Sequence, residues 1–220
     1  MAPLTQQPIQ PSVEQCDTEQ CATVGCSTAT LECFEALMQA RQAHPERAAE
    51  IDAVIEAGFS QTLAVMVMDM VGFSHTTIDE GIIPSLAQIY RIRSLTVPLV
   101  EAHQGRILKL EADNVYAVFP TPAQALEAMG AVLNRLNQED LHASIGIGYG
   151  DVLVVGERDV FGHEMNLASK LGEDIAMDDD ILLTAAALAA LPQPLAQVEP
   201  LTAEVSGLTL ELYRVLRPTP

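Results

Sequence analysis

The side chains best suited to chemistry in this chain are few, and their spacing is specific. In RILKLEADNVYAVF, residues 106–119, Lys109, Glu111 and Asp113 stand on alternate positions of an otherwise apolar segment. Lys109 is one of only two lysines among 220 residues; the other is Lys170. A second aspartate, Asp69, lies near the end of the apolar run LAVMVMDM. A carboxylate at the end of a buried strand is costly unless it is paired or binds a cation. Two such carboxylates brought together form a hard-oxygen site, and a pair of Mg²⁺ ions held there can clamp a triphosphate, activate a hydroxyl and stabilise a leaving oxygen. In HEMNLASKLGEDI, Asn166 and Lys170 are four residues apart and share one face of a helix. An amide beside a cation can orient a ribose and neutralise phosphate charge. Each feature also has a plainer reading. Asp69 suits a capped or salt-bridged carboxylate, Asp113 with Asn114 suits a turn, and Asn166 with Lys170 suits a solvated helix face.

Elements of regular structure must position these groups. Residues 1–27 are rich in Gln, Pro, Thr and Ser and read as a tail. Leu31, Phe34, Leu37 and Met38 recur at helical spacing, and the helix is expected to stop before Pro45. PERAAEIDAVIEAG reads as a second helix ended by Gly58, which makes 28–58 a helical segment. From Leu63 an apolar strand is expected, then a helix over 81–103 with Pro84 in its first turn and a kink at Pro98. RILKLEA and VYAVF read as a hairpin around Asp113–Asn114. A helix over 122–137, a strand with a turn in HASIGIGYGDVLVV and a helix in HEMNLASKLGEDI follow. The strand ILLT, the short helix AAALAALP and the strand TLELYRVL end the chain. The order β-α-β-β-α-β with additions predicts an α+β sheet covered by helices on one face.

Composition narrows the partners. Hydrophobic residues make up 49% of the chain and Trp is absent, so a core of Leu, Val, Ile, Ala and Met is expected. Thirty acidic residues against 11 basic ones give a net charge of −19. That argues against nucleic acid and against anionic membranes as partners, since both require clustered Lys and Arg. A polyphosphate would bind only with cations or a few placed basic groups. No run approaches the roughly 20 apolar residues of a membrane span, and the start lacks the pattern of a signal peptide, so the expectation is a soluble cytoplasmic protein. The four cysteines, Cys16, Cys21, Cys26 and Cys33, have spacings that match zinc and iron–sulfur patterns poorly. Reduced thiols in a flexible tail, a disulfide or redox pair, and a metal site all stay open.

Three stretches, in order, resemble the catalytic domain of the class III nucleotidyl cyclases, the adenylate and guanylate cyclase family. MDMVGFS is similar to the family's F-x-D-[IM]-x-G-F segment, and KLEADNVYAVF to its K-T-I-G-D-x-[VFY]-[ML]-A-x-F hairpin. DVFGHEMNLASKL is similar to its D-[VIL]-[WYF]-G-x-x-V-N-x-A-[AS]-R-L helix start, with IGIGYGDVLVVGE between them. The resemblance runs from about Thr62 to Leu216 and implies a ferredoxin-like βαββαβ cyclase domain over 59–217, behind an N-terminal helical extension.

It also implies roles for particular residues. Asp69 and Asp113, with the backbone carbonyl of Met70, match the ligands of two Mg²⁺ or Mn²⁺ ions. Lys109 and Asp159 match the adenine-reading pair, and Asn166 the ribose-orienting asparagine. Lys170 stands where the family has the arginine that stabilises the transition state. Lysine keeps that charge and loses the planar fork. Ala112 replaces a glycine, which calls for a φ below zero there, and Glu111 adds a negative charge beside the hairpin. The implied activity is conversion of ATP to 3′,5′-cyclic AMP and pyrophosphate, at sites shared between two subunits of a head-to-tail homodimer. The alternative is a weakly active or inactive cyclase-like nucleotide-binding or regulatory module.

Overall fold

The structure, a computed structural model, describes residues 30–72, 77–79, 81–192, 197–205 and 208–216. They fall into two compact units, one reaching to Gly58 and the other starting at Phe59.

In the first unit α1 (Leu31–Ala43) is capped by Thr30, whose hydroxyl accepts a hydrogen bond from the Cys33 amide. Pro45 opens a 3₁₀ turn, Pro45–Arg47, and α2 follows over Ala48–Phe59, one residue past Gly58. Arg41 grips Asp52 through two nitrogens and so ties α1 to α2. Cys33, Leu37, Ile51 and Ile55 are buried. Cys33 is disulfide-bonded, which removes it from the reduced-thiol reading. The readings of the tail 1–27 and of Cys16, Cys21 and Cys26 fall outside the described residues.

The second unit runs β1 (Ser60–Met70), α3 (Ile82–Ala102), β2 (Arg106–Glu111), β3 (Asn114–Phe119), α4 (Pro122–Asn137) and β4 (Ala143–Val155). It continues with β5 (Asp159–Phe161), α5 (His163–Ser169), a π-helical turn (Lys170–Ile175), β6 (Ile181–Thr184), α6 (Ala185–Ala189), β7 (Val198–Val205) and β8 (Leu208–Val215). The sheet has the order β2-β3-β1-β4-β6-β8-β7, with β5 paired to β4. Pairing is antiparallel except between β4 and β6. The α+β class read from the sequence is the class observed.

Strand β1 shows why the chain folds this way. Its side chains alternate between two faces, as every strand's do. Ala64, Met66, Met68 and Met70 join one apolar cluster with Ile89 and Ile92 of α3 and Met129 and Leu133 of α4. Val65 and Val67 join the other cluster, with Tyr116, Val118 and Ala168 of α5. Both faces are therefore covered, which corrects the expectation of helices on one face only.

Glycine is the reason the second face is reachable. A Cβ on Gly146 would come within 2.2 Å of the Ala168 carbonyl oxygen, and one on Gly172 within 2.5 Å of the Val67 carbonyl oxygen. At these two points main chain rests on main chain. The Ser144 hydroxyl fastens the contact by donating to the Gly172 carbonyl at 2.8 Å.

Candidate active site

Register brings the chemistry-bearing side chains into two adjacent rows on the α5 face. Glu111, Asn114, Asp69 and Ser144 are successive partners across β2, β3, β1 and β4. Lys109, Tyr116, Val67 and Gly146 form the neighbouring row. Directly opposed residues share a face of the sheet, so each row is a line of neighbours.

Asp113 sits in the two-residue turn joining β2 to β3, immediately before Asn114. The expected turn, Asp113–Asn114, is off by one residue. Asn114 belongs to β3 because it pairs with both Glu111 and Asp69, which leaves Ala112 and Asp113 as the turn. Ala112 has φ +45°, against the expectation of a φ below zero. The left-handed turn closes the hairpin tightly, and Arg93 of α3 supports it by donating from Nη2 to the Ala112 carbonyl.

The two aspartates feel each other. Burial, then the charge of Asp113, pushes the half-buried Asp69 carboxyl up to about 6; the Met70 amide opposes the rise, and the charge of Glu173 adds to it. Glu173, on the π turn, is a member of this neighbourhood that reading the sequence missed. The arrangement suits a divalent cation: hard oxygen donors, with a carboxyl whose ionisation a positive charge would restore. Asn114 adds a buried Oδ1 with no hydrogen-bond partner in the same row. Among the described residues no group of three or more His, Cys, Asp or Glu side chains is placed to hold a metal. An ion here would rest on Asp69, Asp113 and backbone oxygen such as that of Met70, with its remaining ligands from water or substrate, as is usual for Mg²⁺.

Lys109 is held on two sides. Its Nζ donates to Glu111 Oε2 at 2.6 Å and lies 4.4 Å from the centroid of the Tyr116 ring. The buried Tyr116 in turn donates its hydroxyl to Glu173 Oε1 at 3.0 Å. Burial, then the charge of Glu173 and this hydrogen bond, push the phenol up to about 12. The misplaced turn hid this contact. A turn at Asp113–Asn114 sets Lys109 opposite Val118, whereas the true turn sets it opposite Tyr116.

The remaining candidates are positioned by α5 and β5. Asn166 is exposed on α5, and Lys170 is the exposed first residue of the π turn. Lys170 Nζ donates to Asp174 Oδ2 at 2.6 Å, and that hydrogen bond raises its pKa. The sequence led to one uninterrupted helix here; the structure widens it to π geometry at Lys170. Asp159, on β5, is exposed. Lys109 is paired with Glu111 rather than with Asp159. The turn between β4 and β5 is nonetheless tied to the strand carrying Lys109, because Arg106 Nη1 donates to the Glu157 carbonyl at 2.6 Å.

A sheet of this order with these neighbours has relatives among solved structures. The adenylyl cyclase CyaB from P. aeruginosa superposes with a TM-score of 0.63 at 18% identity, over 73% of this chain and 96% of that one. The chain has the class III cyclase fold. The same cyclase fold is shared with the guanylate cyclase domain of RhGC from Catenaria anguillulae, solved in complex with GTP, at TM-score 0.63 and 14% identity over 72% and 98% of the two chains. An adenylate/guanylate cyclase/hydrolase from Silicibacter pomeroyi matches at TM-score 0.61 and 22% identity over 73% and 99%. In sequence, a Rhizobium meliloti (strain 1021) protein named "Putative adenylate cyclase 3" is 28% identical over 116 residues, 49% of this chain. The chain spans 20% of that relative's length. No family model matches the chain.

Proposed function

We propose that the chain is an adenylate cyclase, forming 3′,5′-cyclic AMP and pyrophosphate from ATP, with its active sites shared between two copies in a head-to-tail homodimer. The observation that carries this reading is the convergence of Asp69, near the end of β1, with Asp113 in the β2–β3 turn, close enough for the charge of Asp113 to act on Asp69. In the reaction, the ribose 3′-oxygen bonds to the α-phosphorus, the bond to the bridging oxygen of pyrophosphate breaks, and the hydroxyl proton is lost.

Asp69, Asp113 and the Met70 carbonyl would hold two Mg²⁺ or Mn²⁺ ions. When bound, such ions make the hydroxyl more acidic and balance charge on the departing oxygen. Lys109 donates to a ring nitrogen of adenine, and Asp159 accepts from its exocyclic amine. Asn166 orients the ribose, and Lys170 leaves Asp174 to approach the phosphate. In the dimer one subunit supplies the aspartates, and its partner the base-reading and phosphate-facing side chains. Among the described residues no helix is long and apolar enough to cross a membrane.

One observation favours a second reading. Lys170 replaces the fork of an arginine with a single ammonium, and that ammonium is already engaged by Asp174. A group that acts mainly in the transition state can be weakened while binding is preserved, which leaves a nucleotide-binding module of low turnover. Purified protein incubated with ATP, and separately with GTP, in Mg²⁺ and in Mn²⁺ decides between them, with cyclic nucleotide detected by mass. Cyclic AMP that vanishes in Asp69→Ala is the expected result. No product from a demonstrated dimer that still binds ATP supports the module, and dominant cyclic GMP overturns the adenine assignment.

A further inference from the structure

Both contacts on Lys109 come from residues at odds with the hairpin motif. Glu111 stands where the motif has isoleucine, and Tyr116 where it has methionine or leucine. Both side chains converge on one ammonium, Glu111 through a 2.6 Å hydrogen bond and Tyr116 through its ring face at 4.4 Å. The ring is itself fixed, since Tyr116 is 8% exposed and its hydroxyl is bonded to Glu173. A hydrogen bond to an ionised acceptor is among the stronger kinds.

We propose that Tyr116 is a positioning residue for Lys109: its ring, locked by Glu173, and the Glu111 carboxylate hold the ammonium at a fixed point on the sheet. An ammonium has three donors, and Glu111 takes one. Two are left for the acceptors of a purine edge. A free lysine side chain loses much rotamer freedom when it is pinned by a ligand. Here the pinning precedes the nucleotide, so the cost is not charged against binding. Tyr116 touches no reacting atom and acts through Lys109. Because Glu173 belongs to the π turn that starts at Lys170, the same contact joins the base-reading strand to the phosphate-facing turn.

This inference rests on Lys109 reading the base, and its test separates the two ideas. With only two lysines in the chain, selective ¹³C-lysine labelling of the full-length protein gives two ε-methylene signals, assigned with Lys109→Gln. The Lys109 signal is expected upfield in the ring current of Tyr116, to stay there in Tyr116→Phe and to return to the free position in Tyr116→Leu. With ATP, Tyr116→Leu is expected to raise KM about tenfold with kcat within about twofold, and Tyr116→Phe to fall between. An unshifted Lys109 signal in the wild type overturns the proposal whatever the activity. So does a shifted signal with KM unchanged in Tyr116→Leu, or a loss confined to kcat. If the wild type turns over no nucleotide, the cyclase reading fails, and binding of a non-hydrolysable ATP analogue decides instead. Weaker binding in Tyr116→Leu than in the wild type upholds the positioning role; equal binding, or none, overturns it.

Discussion

The two faces of strand β1 are built from the same eleven residues and obey different rules. Toward α3 and α4 the strand offers Ala64, Met66 and Met68, all fully buried, packed with Ile89, Ile92, Met129 and Leu133. Toward α5 it offers Val65 and Val67 and then Asp69, beside Asn114, Asp113 and Glu173. One face is held by volume. The other is held by main-chain contact at Gly146 and Gly172 and keeps a carboxylate in a place that disfavours its charge. Stability and chemistry are thus separated by the two-residue period of a strand, and substitutions on the two faces should fail in different ways.

The largest loss of stability is expected on the core face. Phe119 is fully buried, and Phe119→Ala should cost about 3–5 kcal/mol, read as a fall in the urea midpoint at unchanged slope. On the proposed cyclase reading, turnover per folded molecule should stay near that of the wild type. Gly146→Ala tests the other face. Its new methyl meets carbonyl oxygen and main-chain nitrogen, so α5 must lift; overpacking of this kind costs about 1–3 kcal/mol. Turnover should fall further than stability, because Asn166 and Lys170 move with the helix. If Phe119→Ala and Gly146→Ala lost activity and stability in the same proportion, the separation of the faces would be wrong.

Smaller effects sharpen the contrast. Ala112→Gly relieves the left-handed φ of +45° and should stabilise the protein by about 1 kcal/mol, measured by thermal melting. Asp69→Asn should stabilise the metal-free protein by an amount that depends on pH. The folded pKa of Asp69, about 6, lies above the ordinary value of 3.8. The stabilisation from its protonated form is full below 3.8 and is lost as the pH rises through about 6. The variant's advantage should therefore grow between those limits and level off above them. Added Mg²⁺ or Mn²⁺ should stabilise the wild type and not the variant. Glu139, clamped by Arg91 and Arg135 away from this site, has its pKa lowered to about 2 and carries the opposite sign. Its contribution is present above the ordinary carboxylate range and is lost as the pH falls toward that value.

The legible parts of the fold were those written in apolar periodicity. The buried run of β1, the long α3 and the amphipathic α4 are patterns long enough to read. Strand β5, with three residues, is too short to show a period, and β7 carries Pro200 among alternately exposed residues, so it reads as a loop. The aspartates were legible because a charge inside an apolar run is conspicuous. Tyr116 was not, because an aromatic residue in a strand looks like core until the register names its partner, and that register turned on a single residue of the turn. Glu173 was hidden by the π turn, whose extra width no helical period anticipates.

The glycines under α5 let its main chain come down onto the strands, at a distance that backbone thickness sets. Core side chains can drift in volume over many generations of substitution, and the helices of the opposite face can shift to follow them. At Gly146 and Gly172 the approach of the π turn to the sheet has no such slack, since backbone meets backbone there. The contact works as a spacer gauge: in the proposed dimer Asp69 and Lys170 of one chain serve different sites, and the gauge would fix how those two sites are spaced through a single subunit while the rest of the molecule changes.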